Sequence, residues 1–472
     1  MSQDTSSTSP PDQSFWRSVA QSLRGEDHDY TALPMNRAII LLAVPMVLEM
    51  IMESLFAVAD VFWVSRLGKE AVAVVGITES VMTLIYAVAI GISIAATAIV
   101  SRRIGEKEPE LAAQAAAQIV LLGVLMAAGI GVVLGIFAPD ILRAMGADER
   151  VVSIGGSFAR VMLGGNITVF LIFLINAIFR GAGDAVIAMR TLWLANALNI
   201  VLGPCFVFGW WIFPEMGVTG AAVATNIGRG VGVLYQLWHL AGHRSRVKVR
   251  WVHFKPRREI MSMVLSKSGS GIAQFLISTT SWVGLFKILG MFGSTALAGY
   301  TIAMRIVAFA LMPAWGLANA GSTLVGQNLG AEKPDRAEAA VWIAMKLNIL
   351  VLSVVGVLFV LFAGPLLRLF TTDPEVLAFG TQSLWIISLA FPLYAAGMCF
   401  EGAFNGSGDT WTPARLNFLC LWVGQIPIAW LLAKTLGWGP IGAVISVPIA
   451  YSLLAVWSFF LFRRGKWKLQ KL

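Results

Sequence analysis

Charge is what this sequence has least of. Only 13% of its 472 residues are Asp, Glu, Lys or Arg, about half of the roughly 25% usual in a water-soluble domain. With 57% hydrophobic residues and a mean hydropathy of +0.76, the shortage excludes an ordinary soluble enzyme divided into two or three domains. Cysteine is scarce as well. Cys205, Cys399 and Cys420 all fall inside apolar stretches, so neither a disulfide framework nor a zinc site is implied. The four histidines, His28, His239, His243 and His253, show no metal-ligand spacing, and no metal cofactor is expected. Alternating polar and apolar residues of the barrel type are missing too, which leaves helices as the spanning element. Acid is in deficit, with 26 Asp and Glu against 35 Lys and Arg, for a net charge of +9. That excess lies in short clusters between apolar runs, not along one soluble face, so nucleic acid is not an expected partner.

What is present is a succession of apolar runs, each long enough for the roughly 20 residues that cross hydrocarbon. Twelve are expected, at 38–64, 72–100, 113–138, 152–178, 191–212, 219–241, 262–289, 296–324, 339–363, 377–403, 413–433 and 440–462. The fold class is therefore an all-α integral membrane protein. Residues 1–33 are polar, rich in Ser, Thr, Pro and Asp, and lack the apolar core of a signal peptide; a disordered cytoplasmic tail is expected. Of the 35 Lys and Arg, 23 lie in the connections on the N-terminal side of the membrane and six on the other, the rest being within helices or at their ends. Positive charge is retained inside, so both termini are expected in the cytoplasm and the chain in the cell membrane. The densest cluster, His243 to Arg258 with seven Lys and Arg, forms a basic cytoplasmic linker at 242–259. It separates an N-terminal six-helix lobe at 34–241 from a C-terminal lobe at 260–462, with a basic tail at 463–472.

Sliding the sequence against itself by 225 positions aligns unusual residues. Gly68 falls on Gly293, Gly91 on Gly316, Gly105 on Gly330, Pro109 on Pro334, Arg143 on Arg368 and Asp148 on Asp373. Phe179 to Asp184 (FRGAGD) falls on Phe404 to Asp409 (FNGSGD), and Gly217 to Ala221 matches Gly439 to Ala443 after a three-residue length change. Shared composition would not hold glycines, a proline and aspartates in register. Six spans per repeat bring both halves in from the same side, as parallel repeats about an axis along the membrane normal. Two such bundles enclose a central cleft, and rocking one on the other exposes it to each side in turn.

Ionisable residues inside spans are costly and mark function by default. The first span carries Glu49, Glu53 and Asp60, spaced four and seven residues apart and so on one helical stripe. Three carboxylates in such a stripe repel one another and lose solvation, which favours a bound proton, alkali ion or organic cation, one excluding another. The competing role is a structural salt-bridge network with Lys287 or Arg305. Glu401 precedes Asn405 by one turn, and its repeat equivalent is Asn176; a second-lobe role for it and for Glu79 stays open. The two Gly-x-Gly-Asp turns follow no strand, so a phosphate loop is excluded.

These residues resemble the multidrug and toxic compound extrusion (MATE) family over nearly all of 34–462. The resemblance is carried by Pro45 to Gly68 (PMVLEMIMESLFAVADVFWVSRLG), Arg180 to Asp184, Asn199 to Pro204 (NIVLGP), Gly217 to Ala222, and Ala224 with Thr225. It implies a cation-coupled exporter with two six-helix lobes and a V-shaped cleft. Asp60 occupies the family's helix-one aspartate, which implies a coupling-ion role and a Na⁺ position there. Asn199 and Thr225 match positions of the DNA-damage-inducible (DinF-like) branch, although Gly203 replaces its aspartate. The branch with a helix-seven glutamate fits less well, since Ser270 to Leu289 contains no acid. Glu49 and Glu53 are then expected to supply the carboxylate chemistry that Gly203 cannot.

The expected function is secondary antiport, not catalysis. Amphipathic organic cations would leave in exchange for Na⁺ or H⁺, with ion coupling at Asp60, Glu53, Glu49, Asn199 and Thr225. Met52, Phe56 and Tyr300 are candidates for an adaptable substrate wall, set against simple core packing. The alternative within transport is a lipid-linked saccharide flippase of the same superfamily, which needs convergent Arg or Lys where helix one is acidic. A membrane-embedded transferase or hydrolase would need a metal-binding acid pair or an activated nucleophile, and a channel would conduct without exchange. Membrane lipid, organic cations and a monomeric state complete the expected partners; the only cofactor-like species is the transported ion.

Overall fold

The computed structural model describes residues 15–242 and 245–470. Every regular element among them is helical. A short α1 (Phe15–Ser22) precedes α2 (Met35–Ser65), α3 (Lys69–Gly105) and α4 (Pro109–Ile136). After the brief α5 (Ala138–Ala144), the fourth span is built from α6 (Glu149–Gly164) and α7 (Ile167–Ala182) in series. Then α8 (Ala185–Phe208) and α9 (Val218–Ala241) close the first lobe. The second runs through α10 (Arg258–Gly290), α11 (Ser294–Gly330), α12 (Pro334–Arg368), α13 (Pro374–Ser388) and α14 (Phe391–Ser407). It continues with α15 (Trp411–Asn417), α16 (Ile426–Trp430) and α17 (Gly439–Arg463).

Ten spans are long and apolar enough to cross a membrane, and α13 with α14, bent by 53°, forms one more. The remaining member of the twelve is α9. It is less apolar because Thr225, Asn226, Arg229 and Gln236 turn into the bundle, where Arg229 and Gln236 are buried. Polar cost is thus met by partners, not lipid. Between α15 and α16 the rod unwinds into π-type turns at Phe418–Gln425, and again at Leu431–Thr435.

The repeat extends to backbone conformation. Gly68 and Gly293 have φ of 102° and 103°, Gly183 and Gly408 have 91° and 88°, and Lys107 and Glu332 have 60° and 57°. Each pair is 225 residues apart. Left-handed φ favours glycine, so these turns were kept in both halves by sterics.

The lobes meet over only half their height. The second half of α3 packs on α11 and α10 with almost no side chain between them. A Cβ on Gly105 would stand 2.0 Å from the Gln327 carbonyl oxygen, and one on Gly330 2.2 Å from that of Arg102. Gly91 approaches the backbone of Ile272, and Gly316 that of Met46. Thr323 and Gln327 donate to the carbonyls of Arg180 and Gly181 at 3.2 and 3.0 Å. All these contacts lie toward the face carrying both chain ends. Toward the opposite face, Leu55, Val58 and Phe62 of α2 and Leu84 of α3 are exposed. The cleft therefore opens away from the terminal face.

Residues 15–33 differ from the disordered tail expected of 1–33. Residues 1–14 lie outside the described residues, as do His243 and Arg244 of the basic linker, but α1 and the turn after it are ordered against both lobes. Tyr30 is buried and donates to the Gly183 carbonyl at 3.2 Å. Arg246 bonds Asp27 and the His28 carbonyl. From the second lobe, Lys333 donates to the Thr31 carbonyl at 2.9 Å and Arg336 to that of Leu33 at 2.7 Å. Composition suggested disorder because these bonds use the segment's backbone, which no side-chain tally registers.

Candidate functional site

The acidic stripe of α2 meets the fourth, fifth and sixth spans of its own lobe. Glu49 is completely buried. Arg180, in the last turn of α7, donates to its Oε1 at 2.9 Å, and Asn176 donates to the same oxygen at 3.2 Å. Gln236 of α9 in turn donates to Asn176 at 2.6 Å. The other oxygen, Oε2, has no hydrogen-bond partner among the described residues.

One turn along, Glu53 accepts from Asn196 of α8 at 2.9 Å. Arg229 of α9 lies 3.8 Å from its Oε1. That guanidinium also donates to the Tyr86 hydroxyl at 3.1 Å and sits 5.7 Å from the centre of the Phe56 ring. Two of the three acids thus have arginine neighbours. The counter-ions are Arg180 and Arg229, not the Lys287 or Arg305 weighed from sequence. Arg180 looked like one more basic loop residue, and only the fold turns it back toward Glu49.

Asp60 is different. It is half-buried, forms no ion pair within 4 Å among the described residues, and feels Arg229 only at longer range. Its other charged neighbour is Glu79, exposed on α3, which lies between the fields of Asp60 and Arg305. Arg305 is exposed on α11 in the other lobe. Exposed charges in mid-span do not face lipid; Glu79 and Arg305 therefore line the cleft from its two sides. Sequence reasoning left Glu79 open and gave Arg305 only a structural role, because facing across a cleft is invisible until the lobes are assembled.

Asn199 and Thr225 are brought together, with the amide donating to the hydroxyl at 2.7 Å while that hydroxyl donates to the Ala221 carbonyl at 2.9 Å. A Cβ at Gly203 would meet Trp63 at 3.6 Å, so the indole occupies the direction an acid would take. Met52 and Phe56 are half-buried beside the stripe. Tyr300 is not near it: the ring is buried in the second lobe, 5.4 Å from Phe286. It lines a cavity of about 410 Å³ with Trp282, Tyr394, Gln425 and Tyr451. Glu401 is half-buried, with one carboxylate oxygen lacking a hydrogen-bond partner among the described residues. Chemically, the first lobe offers one unpaired carboxylate beside two held ones, an arrangement that takes up a proton or an alkali ion.

Known proteins agree with this architecture. The MatE family model matches residues 45–205 and again 270–431, two matches that begin 225 residues apart. A probable multidrug resistance protein NorM of Thermotoga maritima is 28% identical over 437 residues, 92% of this chain and 93% of that one. A FAD transporter of Shewanella oneidensis is 24% identical over 442 residues, 93% and 96% of the two chains. A solved MOP superfamily transporter from Pyrococcus furiosus, described as having a binding pocket of reverse polarity that suggests a different function, superposes with a TM-score of 0.88. It is 27% identical and covers 94% of this chain and 100% of its own. With twelve spans in two matching repeats around a cleft, this chain belongs to the MatE family of multi-pass membrane transporters.

Proposed function

We propose that the chain exports amphipathic organic cations in exchange for Na⁺ or H⁺, with Asp60 as the coupling carboxylate. The observation that carries this is the inequality of the three acids. Arg180 holds Glu49, Arg229 and Asn196 hold Glu53, and Asp60 alone faces the cleft without an ion pair. An ion reaching Asp60 removes part of the field holding Arg229, and the guanidinium is then free to settle on Glu53. Ion binding is thereby linked to the packing of α2 on α8 and α9, and linkage makes the effect reciprocal. Asn199 and Thr225 lie one helical turn before Gly203 and Arg229 and support the Asp60 region as neutral ligands, in keeping with the DNA-damage-inducible branch. The terminal face is the cytoplasmic one by its basic residues, which makes the described conformation outward-open.

A second substrate class has its own support. Arg305 faces the cleft, and the Shewanella relative is described as a FAD transporter, so an anionic cargo is the alternative. The experiment reconstitutes the protein in liposomes, imposes a Na⁺ or a pH gradient separately, and follows a fluorescent organic cation. Cation movement driven by one gradient supports the proposal. Movement driven by neither, or of FAD alone, overturns it.

A further inference from the structure

The 225-residue register relates Glu49, Asn176 and Arg180 of the first lobe to Gln274, Glu401 and Asn405 of the second. In the first lobe these three side chains converge, both donors reaching Glu49 Oε1 at 2.9 and 3.2 Å. The matching turns at Gly68 and Gly293 and at Gly183 and Gly408 show that both repeats present the helices bearing them alike. The chemistry is permuted, however. The acid has moved from the first helix of the repeat to the fourth, the amide has moved the other way, and the arginine has become an amide. What remains is one carboxylate among neutral oxygens, with its built-in cation deleted.

The hydrogen bonding bears the mark of that deletion. Gln274 Oε1, Glu401 Oε1 and Asn405 Oδ1 are each buried atoms with no hydrogen-bond partner among the described residues. Asn417 closes the group from the eleventh span. Its amide donates to Ser278 on α10 at 3.3 Å, it lies against Glu401, and Ser278 is the repeat counterpart of Glu53. No Lys, Arg or His pairs with Glu401 within 4 Å among the described residues. Lys267, on the same helix as Gln274, is engaged by the Gly408 carbonyl at 3.0 Å. The other titratable groups in the field of Glu401 are Tyr394, Tyr451 and Cys420, none of them cationic. Buried acceptors facing one another without a donor are unfavourable. A hard cation satisfies several oxygens at once.

We propose that the second lobe binds a sodium ion among Glu401, Gln274 and Asn405, in the place the Arg180 guanidinium takes in the first. The site is independent of Asp60 and holds whichever cargo the cleft carries. The two lobes then use one polar triad in two ways, permanently neutralised in one and exchangeable in the other.

The test is equilibrium binding of radioactive ²²Na⁺ to the purified full chain in detergent, comparing wild type with Glu401→Gln, Asn405→Arg and Asp60→Asn. Asn405→Arg restores the guanidinium of the first lobe and should fill the site. Glu401→Gln and Asn405→Arg are each expected to lose one equivalent of bound Na⁺, which Asp60→Asn retains. Asn405→Arg should in addition melt at the same temperature with or without Na⁺. If Glu401→Gln fails to fold, Asn405→Arg alone decides the matter. Unchanged Na⁺ binding in well-folded Glu401→Gln and Asn405→Arg overturns the proposal, as does a wild type that binds no Na⁺. Loss of proton uptake in Glu401→Gln with Na⁺ binding intact overturns the sodium assignment in favour of a proton. Because binding is read without transport, failure here is separable from failure of the antiport proposal.

Discussion

Asp60 and Glu49 sit 11 residues apart on one helix, yet their surroundings call for opposite outcomes on neutralisation. Asp60→Asn is expected to abolish gradient-driven transport while expression and thermal melting stay within those of wild type, because no partner is stranded. Normal coupled transport in that variant would reject its role. Glu49→Gln strands Arg180 in a buried site, and breaking such a pair costs about 3–5 kcal/mol. A clear fall in melting temperature is therefore expected, with recovery in the double variant Glu49→Gln, Arg180→Gln. If the single variant melts like wild type, the pair is not structural. Spacing alone read these acids as one stripe of like carboxylates, which was sound for the helix. The arginines come from residues 131 and 176 positions further along the chain, and no local pattern announces a partner at that distance.

At the scale of elements, the segment 15–33 ties the first lobe to the second through Tyr30, Arg246, Lys333 and Arg336. Arg246→Ala removes its bonds to Asp27 and to the His28 carbonyl together and leaves Asp184 buried without a nearby cation. A loss of about 1–3 kcal/mol is expected, measurable as faster proteolysis between residues 15 and 33. Within this segment, a hydrogen bond from the Thr31 hydroxyl holds the Asp29 carboxyl below its ordinary value. A depressed carboxylate stabilises above its unfolded value of about 4 and stops doing so as pH falls through the folded one. Protection of this segment should accordingly weaken only in strong acid. Elements themselves were legible: each expected span lies within or close to an observed helix, because twenty apolar residues admit little else in lipid. The breaks at Gly165–Asn166 and between α13 and α14, and the π-type turns near Gln425, were not, since bends depend on what packs alongside.

For the whole molecule, the close approach of α3 and α11 makes a direct prediction about alternating access. A Cβ at Gly326 would stand 1.9 Å from the Ser101 hydroxyl oxygen. Cysteines at 101 and 326 are therefore expected to bridge under mild oxidation, locking the terminal face shut and stopping turnover, with recovery under reductant. The native Cys205, Cys399 and Cys420 are buried and unpaired, so a variant lacking them is the proper background. Bridged protein that still transports at the normal rate would show that this contact never opens.

The sequence by itself determined the solvent the protein lives in, the number of spans and the duplication, because hydrophobicity, span length and glycine register are properties of residues taken in order. Tertiary structure decided which charges are neutralised, which acid is left facing the cleft, and toward which face that cleft opens. Electrostatic energy falls off with distance in space rather than along the chain, so a carboxylate's chemistry is settled only when other helices bring, or fail to bring, a cation to it.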